Sequence, residues 1–232
     1  MRIIYRISDT GYNKVKPDYI TNENCLANAT KEFDDVIWSV IADNVSTDTN
    51  NMIQKYVTRN CILYTEKGNG AATFNLALDE ALTYDDDEII YFIENDYLHK
   101  PGSQKTIQEA FELGADFVSL YDHPDKYVDG VNPYVEEGGE ITKVFLSKSC
   151  HWKLTNSTTM TFAAKVGTLK KYESILRKYT STTHPDDFKM WVELRKQEAS
   201  LITPLPGYAT HGETAWLSPL NNWKKTSIWN KI

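Results

Sequence analysis

Residues 89–96 read IIYFIEND, five apolar side chains in a row from Ile89 to Ile93 that run directly into Glu94-Asn95-Asp96. A short unbroken apolar run suits a strand covered on both faces. Acidic side chains are seldom buried unless paired or bound to a metal. Such a strand either emerges into water at Glu94 or delivers its acids to something cationic.

The stretches on either side share its character. RIIYRIS (2–8), DVIWSVIAD (35–43), CILYTE (61–66), EIIYFIEN (88–95) and DFVSLYD (116–122) are short runs rich in β-branched and aromatic residues. Phe74, Leu78, Ala81 and Leu82 recur at helical spacing between them, as do Ile107, Ala110 and Phe111 before Gly114, a natural stop. Five such βα units imply a mainly parallel sheet wound with right-handed crossovers. In the second half, YVEEGGEITKVFLS (134–147) predicts a small antiparallel hairpin turning at Gly138-Gly139. Two helices are then predicted, one lined by Leu169, Tyr172, Leu176 and Tyr179 and one by Phe188, Trp191 and Val192. The stretch TPLPGYATHGETAWLSPLNNW is rich in Pro and Gly and predicts an ordered loop. No repeat, linker or low-complexity tract interrupts the chain. The expectation is one α/β domain over 1–232, with a nucleotide-binding half (1–125) and an acceptor-binding half (126–232).

Composition narrows the setting. With 232 residues, 41% hydrophobic and 25% charged, the chain has ample core for a globular protein. A formal net charge of −7 argues against a nucleic-acid backbone or an anionic membrane surface as the main partner. Cys25, Cys61 and Cys150 form no CxxC pair, which suggests reduced, buried thiols. MRIIYRISD is too short for a signal peptide and no run approaches membrane-spanning length, so a cytoplasmic setting is expected.

Ligands of an open α/β sheet bind outside the carboxyl ends of its strands. The second strand is followed by ADNVSTDT, the third by EKGNGAATFN, the fourth by Glu94-Asn95-Asp96 and the fifth by YDHPD, all polar and all expected on one rim. Each has a plain alternative. Ser46 or Asp48 can cap a helix. Gly68 and Gly70 lack the third glycine of GxGxxG and the GK[ST] of a P-loop. Asp85 to Glu88 suits a solvated turn. Asp122, His123 and Asp125 fit a metal cluster or a polar loop. Residues two apart on a strand point the same way, so Glu94 and Asp96 can address one ligand, such as a Mg²⁺ or Mn²⁺ bridging two phosphate oxygens.

In order and spacing, the pieces resemble the GT-A-fold glycosyltransferases, above all the inverting glycosyltransferase family 2. ADNVSTDT stands where that family has a DNGSTDGT-like turn, and KGNGAATFN where it has a glycine turn before an asparagine-bearing helix. IIYFIENDYLHKPG stands for the strand running into D-x-D, and DDFKMWVEL (186–194) for EDxxxWxxL. The likeness spans about residues 35–195. It departs where ISDTGYNK replaces the usual start, where the D-x-D reads Glu-Asn-Asp, and where the ED reads Asp186-Asp187.

The resemblance implies a GT-A, Rossmann-like fold and a sugar transfer from a nucleotide-diphospho-sugar, a UDP-sugar by analogy, to a hydroxyl of an oligosaccharide or glycan. It implies Asp96 as the ligand of Mn²⁺ or Mg²⁺, with Glu94 reaching the ribose or a metal-bound water, and Asp43 at the base or ribose. Asn44, Lys67, Gly68, Gly70, Asn75 and Asn95 fall in the donor-binding stretches. His211, in a Gly-flanked loop, matches a histidine that completes the metal shell in several such enzymes. Asp187 is the expected general base, Asp186 the reserve, although acids before FKMW also suit a helix start. Trp152 and Trp191 fit sugar stacking or core packing, and NNWKKTSIWNKI (221–232) fits a membrane or partner contact or a packed tail. Two other functions compete: a sugar-1-phosphate nucleotidyltransferase, and a non-catalytic carbohydrate-binding protein of the same fold.

Overall fold

Strict alternation along the first strand sorts the helices into two layers. β1 (Arg2–Ser8) sends Ile3, Tyr5 and Ile7 to one side and Ile4 to the other, all essentially buried. The computed structural model describes residues 1–11 and 14–228, leaving Tyr12, Asn13 and Trp229–Ile232 of the stretches quoted above outside the described residues.

In chain order β1 is followed by α1 (Asn22–Glu32), β2 (Ile37–Asp43), α2 (Thr47–Ile53), β3 (Ile62–Thr65), α3 (Gly70–Ala81), β4 (Ile89–Glu94), β5 (Tyr97–His99) and α4 (Ser103–Glu112). Next come β6 (Phe117–Val118), β7 (Val135–Glu136), β8 (Gly139–Glu140), β9 (Val144–Leu146), β10 (His151–Leu154) and β11 (Phe162–Lys165). The chain continues with α5 (Val166–Lys178), α6 (Asp187–Lys196), β12 (Leu201–Leu205), β13 (Ala209–His211) and α7 (Trp223–Ile228).

Nine strands form one sheet in the order β3-β2-β1-β4-β11-β6-β12-β10-β9. The β1–β4 block is parallel as expected, and only β10 and β11 run against the common direction. Insertion of β11 between β4 and β6 means that the sheet draws on both sides of residue 125. One apolar layer packs Leu26 and Ala29 of α1, Met52 and Ile53 of α2, and Ile107 and Ala110 of α4 on the face of Tyr5 and Ile93. The other packs Phe74, Leu169 and Trp191 of α3, α5 and α6 on the face of Ile4, Phe92 and Phe162. The result is a mixed α/β protein with a large, mostly parallel sheet between helices, plus two small antiparallel sheets, β13-β5 and β7-β8.

Several expectations need correction. The hairpin turns at Glu137-Gly138, one residue earlier than expected, with φ of 54° and 76° as a two-residue turn of this hand requires. It is only two residues deep, because Val144–Leu146 leaves it to pair with β10 at the sheet edge. The fifth strand is cut to Phe117–Val118. The Pro-rich tail is partly sheet: Thr203-Pro204-Leu205 belongs to β12, and Ala209–His211 pairs with β5. Proline is accommodated because β12 pairs with β6 only through Leu201 and Ile202, leaving Pro204 with β10 as its sole partner strand. Trp152 and Trp191, 0% and 2% exposed, are core residues. Of the C-terminal stretch, Trp223 packs with Ile20, Cys25 and Leu98.

Phe162 is the hub of the second layer, its ring 5.3 Å from Phe92, 5.8 Å from Phe117 and 5.0 Å from Trp191. Phe162→Ala is expected to cost about 3–5 kcal/mol by denaturant unfolding. A loss under about 1 kcal/mol would contradict this packing.

Candidate functional site

Arg6 follows Ile4 on the α3 side of β1, at the strand's carboxyl end. It is 5% exposed. Its Nη1 donates to the Gly70 carbonyl at 3.0 Å and its Nη2 to the Met160 carbonyl at 3.3 Å, and Nη2 lies 3.2 Å from Glu94 Oε1. Arg6 Nε is buried without a partner. Beside it opens a cleft of about 630 Å³ lined by residues that follow β1, β2, β3 and β4, among them Asp9, Asp43, Gly68, Gly70, Glu94 and Asp96. The predicted rim therefore exists for the first four strands. The fifth does not reach it.

Each lining residue is positioned by local chemistry. Asp43, 3% exposed, accepts the backbone N–H of Lys67 at 2.6 Å and of Gly68 at 2.9 Å, holding the glycine turn in which Gly68 has φ +71°. Asn44 (φ 50°) braces that turn, its Nδ2 3.3 Å from Asp43 Oδ1. Asn69 caps α3 through the Ala72 N–H, at 2.8 Å. Ser46 caps α2, the plain alternative for that stretch, and Asp9 accepts from its N–H at 2.5 Å. Asn95 lines the cleft while donating to the Ser8 carbonyl and Asn22 Oδ1. Asn75 is not at the site: its amide donates to the Thr180 carbonyl and accepts from the Thr180 hydroxyl, tying α3 to the end of α5.

The acidic pair divides. Glu94 turns to Arg6 and to the Thr161 hydroxyl, 3.4 Å away. Asp96 turns the other way, into a cluster drawn from three distant parts of the chain. Lys16 Nζ lies 3.0 Å from its Oδ2, Lys14 Nζ 3.5 Å, and His211 Nε2 3.3 Å. Pairing of β13 with β5 sets His211 against Tyr97 and so beside Asp96. Gly212 allows the approach, because a Cβ there would meet Ile20 Cγ2 at 2.5 Å and the Asp96 carbonyl at 2.8 Å. Burial alone would raise the Asp96 pKa, but the His211 ring and the Lys14 and Lys16 ammoniums hold the carboxyl well below the usual carboxylate range. Lys14 Nζ is also 2.8 Å from His211 Nε2. The charge of Asp96 is met by the two lysines together with the His211 ring.

This donor set does not match a resident Mn²⁺ or Mg²⁺. Two protein donors converge, Asp96 Oδ2 and His211 Nε2, and among the described residues no group of three His, Cys, Asp or Glu is placed to hold a metal. Glu94 is committed to Arg6. The Lys14 and Lys16 ammoniums, 3.5 and 3.0 Å from Asp96 Oδ2, occupy the approach to the oxygen that an ion would need.

The two acids at the start of α6 also separate. Asp186 is its N-cap, accepting from the Lys189 N–H at 3.3 Å and from its Nζ at 2.7 Å. Asp187 is half-buried and, among the described residues, accepts the adjacent Phe188 N–H at 2.7 Å. Burial, with the charges of Glu94 and Asp186 nearby, pushes its carboxyl up to about 6. His184, three residues before it, lines the cleft, and Pro185 Cδ is 3.8 Å from where a Gly70 Cβ would sit.

Asp122, His123 and Asp125 are not a metal cluster. Asp122 pairs with buried Lys153 at 3.0 Å and accepts from the Tyr127 hydroxyl, whereas Asp125 pairs with Lys126 and His123 at 2.8 Å. Sequence reasoning missed Arg6, Asp9, Lys14 and Lys16. Arg6 alone carried a signal, a charge set inside an apolar strand.

Because the Asp96 pKa is lower folded than unfolded, the stabilisation it gives is complete above about pH 5 and lost on acidification. Asp96→Asn should be less stable than wild type at pH 7, with the gap narrowing by up to about 1.4 kcal/mol per pH unit below about pH 4. Parallel stability–pH curves for the two proteins would contradict the ion-pair assignment.

No family model matches the sequence, and no curated protein matches it. Among solved structures, the crystal structure of A197 from STIV is similar at 14% identity, over 88% of this chain and 81% of that one, with a TM-score of 0.45. Among the described residues no helix is long and apolar enough to cross a membrane.

Proposed function

We propose that this chain is a glycosyltransferase of the GT-A type, moving a sugar from a nucleoside-diphospho-sugar to a hydroxyl of a glycan acceptor with inversion. The observation that carries the reading is Asp187, a half-buried carboxyl behind the cleft-lining His184, pushed up to about 6 by burial and by the charges of Glu94, which lines the cleft, and of Asp186. A base titrating near the working pH combines an ionised form with proton affinity. The partnered Asp186 has neither opening nor need for that role.

In this reading the nucleotide lies along the carboxyl ends of β1, β2 and β4. Glycine at 68 and 70 lets the backbone come close to it, and Asp43 keeps that turn in shape. The acceptor oxygen bonds to the anomeric carbon from the face opposite the diphosphate. The bond between that carbon and the diphosphate oxygen breaks, the electron pair leaving with the nucleoside diphosphate, and the hydroxyl proton passes to Asp187. The positive charge that develops at the anomeric carbon is the one known from glycoside hydrolysis. The leaving diphosphate is met by cationic side chains, and no step requires a metal.

Turnover of a panel of nucleotide-sugars tests the reading. Release of nucleoside diphosphate with free sugar supports it. Turnover only with pyrophosphate supports the nucleotidyltransferase, and glycan binding without turnover the non-catalytic alternative. kcat/KM for transfer should rise with pH through about 6 as Asp187 ionises. Asp187→Asn should lower transfer by about 10²–10⁴-fold with donor affinity kept. It should also be at least as stable as wild type at pH 8. A folded-state pKa above the unfolded one means that ionisation of Asp187 costs stability as pH rises through about 6, and the amide removes that cost. Transfer at the wild-type rate by this variant would place the base elsewhere.

A further inference from the structure

A departing nucleoside diphosphate brings negative charge that the cleft must meet, and the residues at Asp96 suggest how. We propose that the ammonium groups of Lys14 and Lys16 bind the donor's diphosphate in place of a divalent cation, with Asp96 and His211 as anchors that hold the two lysines in position. This deepens the glycosyltransferase reading and rests on it.

Four observations carry the inference. First, the segment Lys14-Val15-Lys16 alternates: Val15 is 78% exposed, whereas both lysines turn inward to the same carboxylate oxygen, at 3.5 and 3.0 Å. Second, the segment is pinned independently of those ion pairs. The Val15 carbonyl accepts the Thr214 N–H at 2.8 Å, three residues beyond His211. Third, the layering suits an incoming anion. The Asp96 side chain is 9% exposed and lies beneath, while the lysine side chains are 25% and 32% exposed and line the cleft with it. Two ammoniums against one carboxylate give this corner of the cleft a local excess of positive charge.

Fourth, the acid that would complete a metal shell is engaged. Glu94 pairs with Arg6, whose buried Nε has no partner and which also lines the cleft. A metal ion placed at Asp96 would add two charges beside two that are already present. A phosphate placed there would find charges of the opposite sign, already fixed in position. Lysine binds phosphate as a point charge, with charge-assisted hydrogen bonds from its three donors. Asp96 is thus a positioning residue: it fixes the lysines, and its low exposure keeps its own charge out of direct contact with the ligand.

The test is calorimetric titration of UDP, GDP, CDP, dTDP and ADP into the wild-type protein, once with EDTA and once with saturating Mn²⁺. The expected result is binding of at least one nucleoside diphosphate, with affinity in EDTA within about threefold of that in Mn²⁺, under 1 kcal/mol of difference. Lys14→Met with Lys16→Met should weaken binding in EDTA by about tenfold or more, whereas Lys14→Arg with Lys16→Arg should retain most of it. Binding that requires Mn²⁺ and vanishes in EDTA would overturn the inference and leave the donor-site reading standing. Failure of every nucleoside diphosphate in both buffers would instead bring down the donor reading, and this inference with it. The EDTA comparison needs no substitution, so it decides the matter even where a variant folds poorly.

Discussion

A buried carboxylate needs cationic company, and Asp96 obtains it from segments that lie far apart in the chain. Its partners come from the N-terminal segment at Lys14 and Lys16 and from His211 at the end of β13. The strand end, the N-terminal segment and the β13–β5 pair are thereby fastened at one point. Gly212, whose missing Cβ lets the chain after β13 rest on the Asp96 backbone, serves the same junction. Removing both lysines would leave the Asp96 charge buried without a full countercharge, which costs more than the pairs contribute. The cleft owes its shape at that end to this cluster.

The same logic separates structural from chemical acids elsewhere on the rim. Asp43 is consumed by the backbone amides of Lys67 and Gly68, Asp186 by a helix cap, and Asp122 and Asp125 by buried lysines behind the cleft. Glu94 is balanced by Arg6. Asp187 is the acid whose nearest charges are of its own sign, and its proton affinity rises accordingly. A site whose acids are pushed apart in this way carries a division of roles.

Much of the scaffold was legible because it is local. The apolar runs marked β1, β2, β3 and β4, and two-residue periodicity placed Glu94 and Asp96 at the end of one of them. What could not be read was which partner each acid takes. Two acids two residues apart were expected to share one ligand; both line the one cleft, but the chain turns after Glu94, so Asp96 stands outside the strand and takes different side-chain partners. Lys14 and Lys16 gave no signal, since an isolated K-x-K in a polar segment looks like any solvated stretch. Asn75 fits a donor-binding pattern but sits one helix turn too deep, where the Thr180 backbone claims its amide. The Pro-rich tail hid two strands because a proline is harmless wherever a strand has lost one of its neighbours.

The sharpest measurement is a crystal structure of the protein with a bound nucleoside diphosphate, grown in chelator. The account predicts the terminal phosphate within hydrogen-bond reach, about 3 Å, of the Lys14 and Lys16 ammoniums, with the nucleoside along the ends of β1 and β2. A nucleotide lodged outside this cleft, or one held there with both lysines swung away from its phosphates, would contradict it.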